Sequence, residues 1–202
     1  KQEIGIISPM HLDGTEEKLD LHFENYLGKY AKKSRIISDL FLQQQNNCYE
    51  IDFVNAAHWF IPKKTIEQVG GFNPFYFHYG EDYDYINRVV FMKKKIFVAT
   101  HSRVIHDTKQ QFTPKNKDAA YKDKWLSLRL QKQTQFMNPA YDFNVAKEKK
   151  KLLWDFYKFT IKGYTQERKE QREMNDYFVP RLQEIAEYRK KITTLPHPFL
   201  NI

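Results

Sequence analysis

The sequence predicts an α/β fold, a mixed sheet with covering helices, followed by an α-helical tail. Short apolar and β-branched runs at residues 4–9 (IGIISP), 51–54 (IDFV), 96–100 (IFVAT) and 103–105 (RVI) are separated by stretches of helical period. Beyond residue 108 strand signals fade and apolar residues recur at helical spacing. Charge divides at the same point: residues 1–108 hold 13 Lys and Arg against 14 Asp and Glu, while residues 109–202 hold 20 against 11. The reading is therefore of two regions, 1–108 and a basic helical tail, 109–202.

Taken in order, residues 4–9 form an opening strand followed by Asp13-Gly14. The strand at 51–54 ends in a patch of small and polar side chains, Asn55, Ala56, Ala57 and His58, with Trp59 after it. Small residues at a strand end let a ligand approach the backbone, while Asn55 and Trp59 offer a hydrogen bond and a ring face; packing against a helix explains the alanines equally well. A short helix at 63–69 stops at Gly70-Gly71.

Gly80 then supplies a turn, and Glu81, Asp82 and Asp84 open a helix over 82–94. Backbone amides and the macrodipole favour negative charge there, so the acids are either caps or carboxylates aimed at a fixed point. Phe72, Phe75, Tyr76, Phe77, Tyr79, Tyr83 and Tyr85 surround them in sequence. Apolar surroundings raise a carboxyl pKa toward the range of a general base. The helix advances about 18 Å. The strands at 96–100 and 103–105 return the chain, which places His106 and Asp82 at one end of the layer and facing one cleft. Asp84 and Arg88 stand four apart with the acid first, a structural pair that holds the helix.

In the tail, helices are expected over 120–136, stopped by Asn138-Pro139, over 145–161, closed by Gly163, and from near Thr165. Pro180 either kinks the third or begins a fourth, in which Leu182, Ile185 and Tyr188 or Arg189 recur. The run Lys147, Lys149, Lys150, Lys151 reads as a solvated helix face or, with Trp154, Tyr157, Phe159 and Ile161 interleaved, as a surface for anionic lipid. Nothing but charge argues for nucleic acid, since no helix-turn-helix, zinc or stacking-sheet signature accompanies it. One cysteine, Cys48, excludes an internal disulfide framework, and no apolar run reaches the roughly 18 residues of a spanning helix.

From Asp52 to Asp107 the order of these pieces resembles the acceptor-side half of family 2 inverting glycosyltransferases of the rhamnosyltransferase-like type. The pieces are the small-residue patch, the short helix, the Gly-Gly-Phe turn, Tyr79-Gly80-Glu81-Asp82-Tyr83-Asp84, Arg88, a strand and His106. The resemblance implies a GT-A fold and sugar transfer with inversion from a nucleotide-sugar donor to a saccharide or lipid-linked saccharide. It makes Asp82 the catalytic base, Glu81 its neighbour and His106 a ligand of Mn2+ or Mg2+ in the complete enzyme. It sets Asn55, Ala56, His58, Trp59, Tyr79 and Gly80 where donor and acceptor sugars meet.

No Asp-x-Asp follows a buried strand ahead of Asp52, so the chain is expected to be the C-terminal part of a longer protein, inactive alone and holding no metal tightly. The expected location is cytoplasmic, with peripheral contact at the inner face of a membrane through the tail. A sheet lacking its first strands would offer an edge to a second copy, which makes a homo-oligomer one expected state. Two other readings are a non-catalytic saccharide- or membrane-binding module and a metal-dependent hydrolase using Glu81, Asp82, Asp84 and His106.

Overall fold

The computed structural model describes residues 3–31, 34–76, 79–107, 117–195 and 198–200. Two compact units emerge, one of Lys1–Thr113 with Pro196–Ile202 and one of Pro114–Leu195. The chain thus leaves the first unit before the helical one and rejoins it afterwards.

The first unit is built on a three-stranded mixed sheet of order β1-β3-β2, formed by β1 (Ile4–Leu12), β2 (Cys48–Glu50) and β3 (Lys95–Ile105). The two long strands run parallel and β2 pairs antiparallel to β3. What the sequence suggests as two strands, 96–100 and 103–105, is one strand carrying an irregularity. Pro9 pairs with Ala99, whereas the next residue, Met10, pairs with Arg103. Proline has no N–H for a ladder, and it sits on the edge strand where the register slips. Thr100 at the slip bonds instead to the carbonyls of Asn46 and Asn47. After it β3 continues beside the end of β1, and the His106 amide donates to the Leu12 carbonyl at 2.8 Å.

Two helices between β1 and β2 are absent from the sequence reading. In α1 (Leu21–Tyr30) Asp20 is the N-cap, accepting from the Phe23 amide at 2.9 Å, and Phe23 and Leu27 point one turn apart into the core. The short α2 (Ile36–Phe41) has no side-chain cap, but its buried Asp39 accepts from the Tyr49 hydroxyl at 2.8 Å and so ties the helix to β2. The expected strand at 51–54 is not formed. Ile51 makes one more sheet bond, to the Ile96 carbonyl; the Asp52 amide then turns to Tyr30 and the chain leaves the sheet, with Phe53 and Val54 buried under α1 as irregular backbone.

Helix α3 (Lys63–Val69) has the expected bounds and stops at Gly70, whose φ is +88°. Helix α4 runs over Glu81–Phe91 and ends earlier than expected, its last turn closed by the Met92 amide on the Arg88 carbonyl. Its buried face, Tyr85, Ile86 and Val89, belongs to the same core as Ile6, Phe23, Ile96 and Val98.

A short returning segment also covers the turn between α3 and α4. The Gly71 amide donates to the Pro198 carbonyl at 2.9 Å. A Cβ on Gly70 would lie 1.9 Å from that same oxygen, and one on Gly71 would lie 2.6 Å from the Phe199 carbonyl oxygen, so both positions require glycine.

The second unit contains α5 (Lys117–Met137), α6 (Val145–Ile161), α7 (Thr165–Phe178), a 3-10 turn (Val179–Arg181) and α8 (Leu182–Thr194). Pro180 therefore begins a fourth helix. Phe136, Met137, Leu152, Phe178, Leu182 and Ile185 form its buried interior. Arg189 donates to the carbonyl of Phe136 in the last turn of α5 and to those of Asn138 and Tyr141 in the loop after it, which ties α8 to the end of α5.

Candidate functional site

Helix α4 starts abruptly. Tyr79 has a φ of +64° and Gly80 one of +94°, and the left-handed conformation costs a non-glycine residue about 1–2 kcal/mol. Two such residues in succession swing the chain so that Glu81 and Asp82 stand at the first turn, both half-buried. Strain of this kind concentrates where a side chain must be aimed. The Asp82 Oδ1 accepts from the Tyr83 amide at 2.7 Å. Burial pushes the Asp82 carboxyl up to about 6; the bond to Tyr83 opposes this and the Glu81 charge adds to it.

Of the rings that flank Asp82 in sequence, Tyr83 packs with rings from a distant part of the chain. Tyr83 stacks on Phe53 with centroids 4.0 Å apart, and Tyr26 and Tyr30 of α1 meet the same Phe53 at 5.1 and 5.0 Å. Tyr26 and Tyr83 both feel the Asp82 charge. Burial first, then Asp82, pushes the Tyr26 hydroxyl up to about 12, and burial together with a hydrogen bond to Tyr30 raises Tyr83 further. Phe72 and Tyr85 instead join Trp59 in a separate stack, Phe72 to Tyr85 at 5.0 Å and Trp59 to Tyr85 at 5.9 Å. Phe77 lies outside the described residues.

At the ends of β1 and β3 three imidazoles meet. His11 is fully buried, stacks on Phe23 at 4.6 Å, and lies 5.5 Å from His58 and 5.7 Å from His106. His58, exposed, and His106, half-buried, are 6.0 Å apart. The His11 Nε2 is 3.1 Å from the Ser8 hydroxyl, while its Nδ1 has no partner. Burial, then the neighbouring imidazoles, lowers His11 to about 4. His106 Nδ1 faces the buried Asp20 carboxylate at 3.4 Å. Asp20 thus caps α1 with its Oδ1, while its Oδ2 lies near the His106 ring without a hydrogen bond to it.

The Tyr26 hydroxyl feels the charges of both Asp82 and Asp20. Among the described residues no hydrogen bond or ion pair joins Asp82 directly to His106.

Asn55, Ala56 and His58 lie in a turn rather than at a strand end. The Asn55 Oδ1, the Trp59 Nε1 and the Glu81 Oε2 are buried without hydrogen-bond partners, which leaves an acceptor, a donor and a carboxylate oxygen for a ligand to satisfy. The Trp59 ring itself rests on Tyr85 and Phe72, so its indole N–H, and not its face, is what it has to offer. Tyr79 is more than half exposed.

Asp84 and Arg88 form a salt bridge of 2.9 Å with both side chains almost wholly buried. Arg88 also donates to the carbonyls of Val69 and Gly71 at 2.7 and 2.8 Å and lies between the rings of Tyr85 and Phe199. Burial raises the Asp84 carboxyl, opposed by Arg88 and Asn73. The pair therefore anchors α4 to the Gly70-Gly71 turn and takes no part in the opening of the site.

Comparison with protein-family models, with characterised proteins and with solved structures gives no match. The geometry has to carry the reading alone. Among the described residues no group of three or more His, Cys, Asp or Glu side chains is arranged to hold a metal ion. The imidazoles meet edge to face, and the His106 Nδ1 is directed at Asp20.

The sequence reading missed His11, Asp20 and Tyr26. Asp20 and Tyr26 left a signal, an N-cap acid followed by Phe23, Tyr26, Leu27 and Tyr30 at helical spacing. His11 left none, because its burial depends on partners brought from two distant parts of the chain.

Proposed function

We propose that this chain is the acceptor-side part of an inverting glycosyltransferase with a GT-A arrangement, in which Asp82 is the general base. The observation that carries the reading is a half-buried carboxyl at a strained helix start, raised to about 6 by burial and next in the chain to Tyr83, which stacks on Phe53. A carboxylate of that basicity is largely ionised at neutral pH, yet accepts a proton more readily than an ordinary aspartate. In the proposed step Asp82 takes the proton of an acceptor hydroxyl while that hydroxyl's oxygen bonds to the anomeric carbon. The bond from that carbon to the diphosphate breaks on the opposite face, and configuration inverts. No covalent glycosyl-enzyme forms, so one carboxylate suffices. The unpartnered Asn55 Oδ1, Trp59 Nε1 and Glu81 Oε2 orient the sugar hydroxyls. The proposed donor is a nucleotide sugar and the proposed acceptor a saccharide or lipid-linked saccharide.

The test is Asp82→Asn in the full-length protein, assayed against nucleotide-sugar donors with the anomeric configuration of the product read by NMR. Turnover is expected to fall by about 100-fold or more with donor affinity kept. Turnover within a few-fold of the parent, or a product of retained configuration, refutes the proposal. Saccharide binding with no turnover in either protein supports the non-catalytic alternative.

A further inference from the structure

The second unit carries a surface that its own packing leaves bare. Helix α6 buries Glu148 and Leu152 on one side, and its opposite side presents Leu153, Trp154, Tyr157 and Ile161, which are 47%, 60%, 54% and 67% exposed. At 100° per residue those four fall within one outward stripe, since positions i, i+1, i+4 and i+8 share a side of a helix. Trp154 and Tyr157 touch, with centroids 5.7 Å apart. A shallow groove of about 500 Å³ lies along this stripe between Lys149, Lys150 and the Trp154 and Tyr157 rings. A contiguous set of large apolar side chains in water marks a contact surface.

Charge says what kind of contact. The exposed residues of α6 include Lys147, Lys149, Lys150, Lys151 and Lys158 and no acid, because Glu148 is buried and accepts from Tyr141, and Asp155 is half-buried. Among the described residues only Lys147 of this set has a carboxylate partner, Asp142 at 3.1 Å. Cations therefore border the apolar stripe with their charge uncompensated by the protein. Aliphatic and indole groups at the centre, a phenol tip and flanking lysines are the arrangement of a helix lying in a membrane interface, apolar side toward the acyl boundary and ammonium groups on headgroups. A nucleic acid would meet the lysines but leave Leu153 and Ile161 without a counterpart. No helix among the described residues is long and apolar enough to cross a membrane, so the contact is with the surface.

We infer that the outward face of α6 seats the protein on an anionic lipid bilayer through Leu153, Trp154, Tyr157 and Ile161, ringed by Lys149, Lys150, Lys151 and Lys158. This stands independently of the proposed transferase activity. The experiment is co-sedimentation of the full chain with vesicles of phosphatidylcholine containing phosphatidylglycerol at about three in ten lipids, and with pure phosphatidylcholine. Binding is expected to the first and weakly to the second, to fall as salt is raised to about 0.5 M, and to shift the tryptophan emission to the blue. Lys149→Gln with Lys150→Gln should weaken it about 30-fold, at about tenfold for each 1.4 kcal/mol and about 1 kcal/mol per lysine. Trp154→Ala with Tyr157→Ala should weaken it tenfold or more and abolish the blue shift. These side chains are exposed, so both double variants should keep the parent circular dichroism and melting temperature. Absence of binding to the anionic vesicles overturns the inference. So does binding that both double variants retain, or binding to a DNA or RNA oligonucleotide without binding to vesicles.

Discussion

Replacing Asp82 by Asn should make the protein more stable while it disables the proposed chemistry. In the fold the carboxyl titrates at about 6, against an ordinary 3.8, chiefly because burial penalises its charged form. A folded-state pKa above the unfolded one means that the native state favours the protonated form. The acid is then accommodated without penalty below about pH 4, and the native state loses stability as pH rises through about 6. At about 1.36 kcal/mol per pH unit the difference amounts to roughly 3 kcal/mol at pH 8, an upper figure because Asp82 is only half-buried. Asparagine keeps an oxygen for the Tyr83 amide and carries no charge, so Asp82→Asn should recover about 1–3 kcal/mol at pH 8 and almost nothing at pH 4. Denaturant-dependent hydrogen exchange, followed on peptides of β3 and α4, reports the first unit alone and avoids mixing it with the helical unit. A variant that is no more stable at pH 8, or whose gain is the same at both pH values, would falsify the burial argument for Asp82 and with it the basis of its role as a base.

The remaining predictions concern the frame around that residue. Arg88→Met removes the partner of a buried carboxylate and two hydrogen bonds to the Gly70-Gly71 turn, and should cost about 3–5 kcal/mol in chemical denaturation. Gly70→Ala forces an alanine into a positive-φ, extended conformation that only glycine adopts readily and against the Pro198 carbonyl, so beyond about 1–3 kcal/mol of backbone cost it should dislodge residues 198–200, seen as faster proteolysis there. Gly28→Ala, in α1 with open space around the new methyl, should raise stability by about 0.5–1 kcal/mol; a loss would mean the helix is strained there.

Local signals were legible wherever one element decided its own fate. Helix α3 and helix α6 have the bounds that their spacing implies, with Gly70 and Gly163 both at positive φ just beyond their ends. The acid start of α4 and the Asp84–Arg88 pair were legible for the same reason. Elements that depend on distant partners were not. The apolar run at 51–54 has strand composition, but the edge it would extend is given up when Asp52 bonds to Tyr30. The polar residues 101–102 look like a gap between strands, yet the loop before β2 accepts the Thr100 bonds and β3 continues past them. The site divides likewise. Gly80, Glu81 and Asp82 could be located from sequence, whereas Tyr26 and Tyr30, which meet Phe53 together with Tyr83, come from α1, and the imidazoles around His106 come from β1 and the turn after Asn55.

The return of residues 198–200 to Gly71 sets an order of events during synthesis. The ribosome releases β1, the intervening helices and β3 long before the segment that lies over the glycine pair, and the whole helical unit must emerge in between. Until then the Arg88 guanidinium lacks the Phe199 ring, and the Gly71 amide has only water for a partner. A nascent chain stalled before residue 198 therefore holds an unfinished first unit, lacking its contacts to Gly71 and Arg88 until all four helices of the second unit have been made.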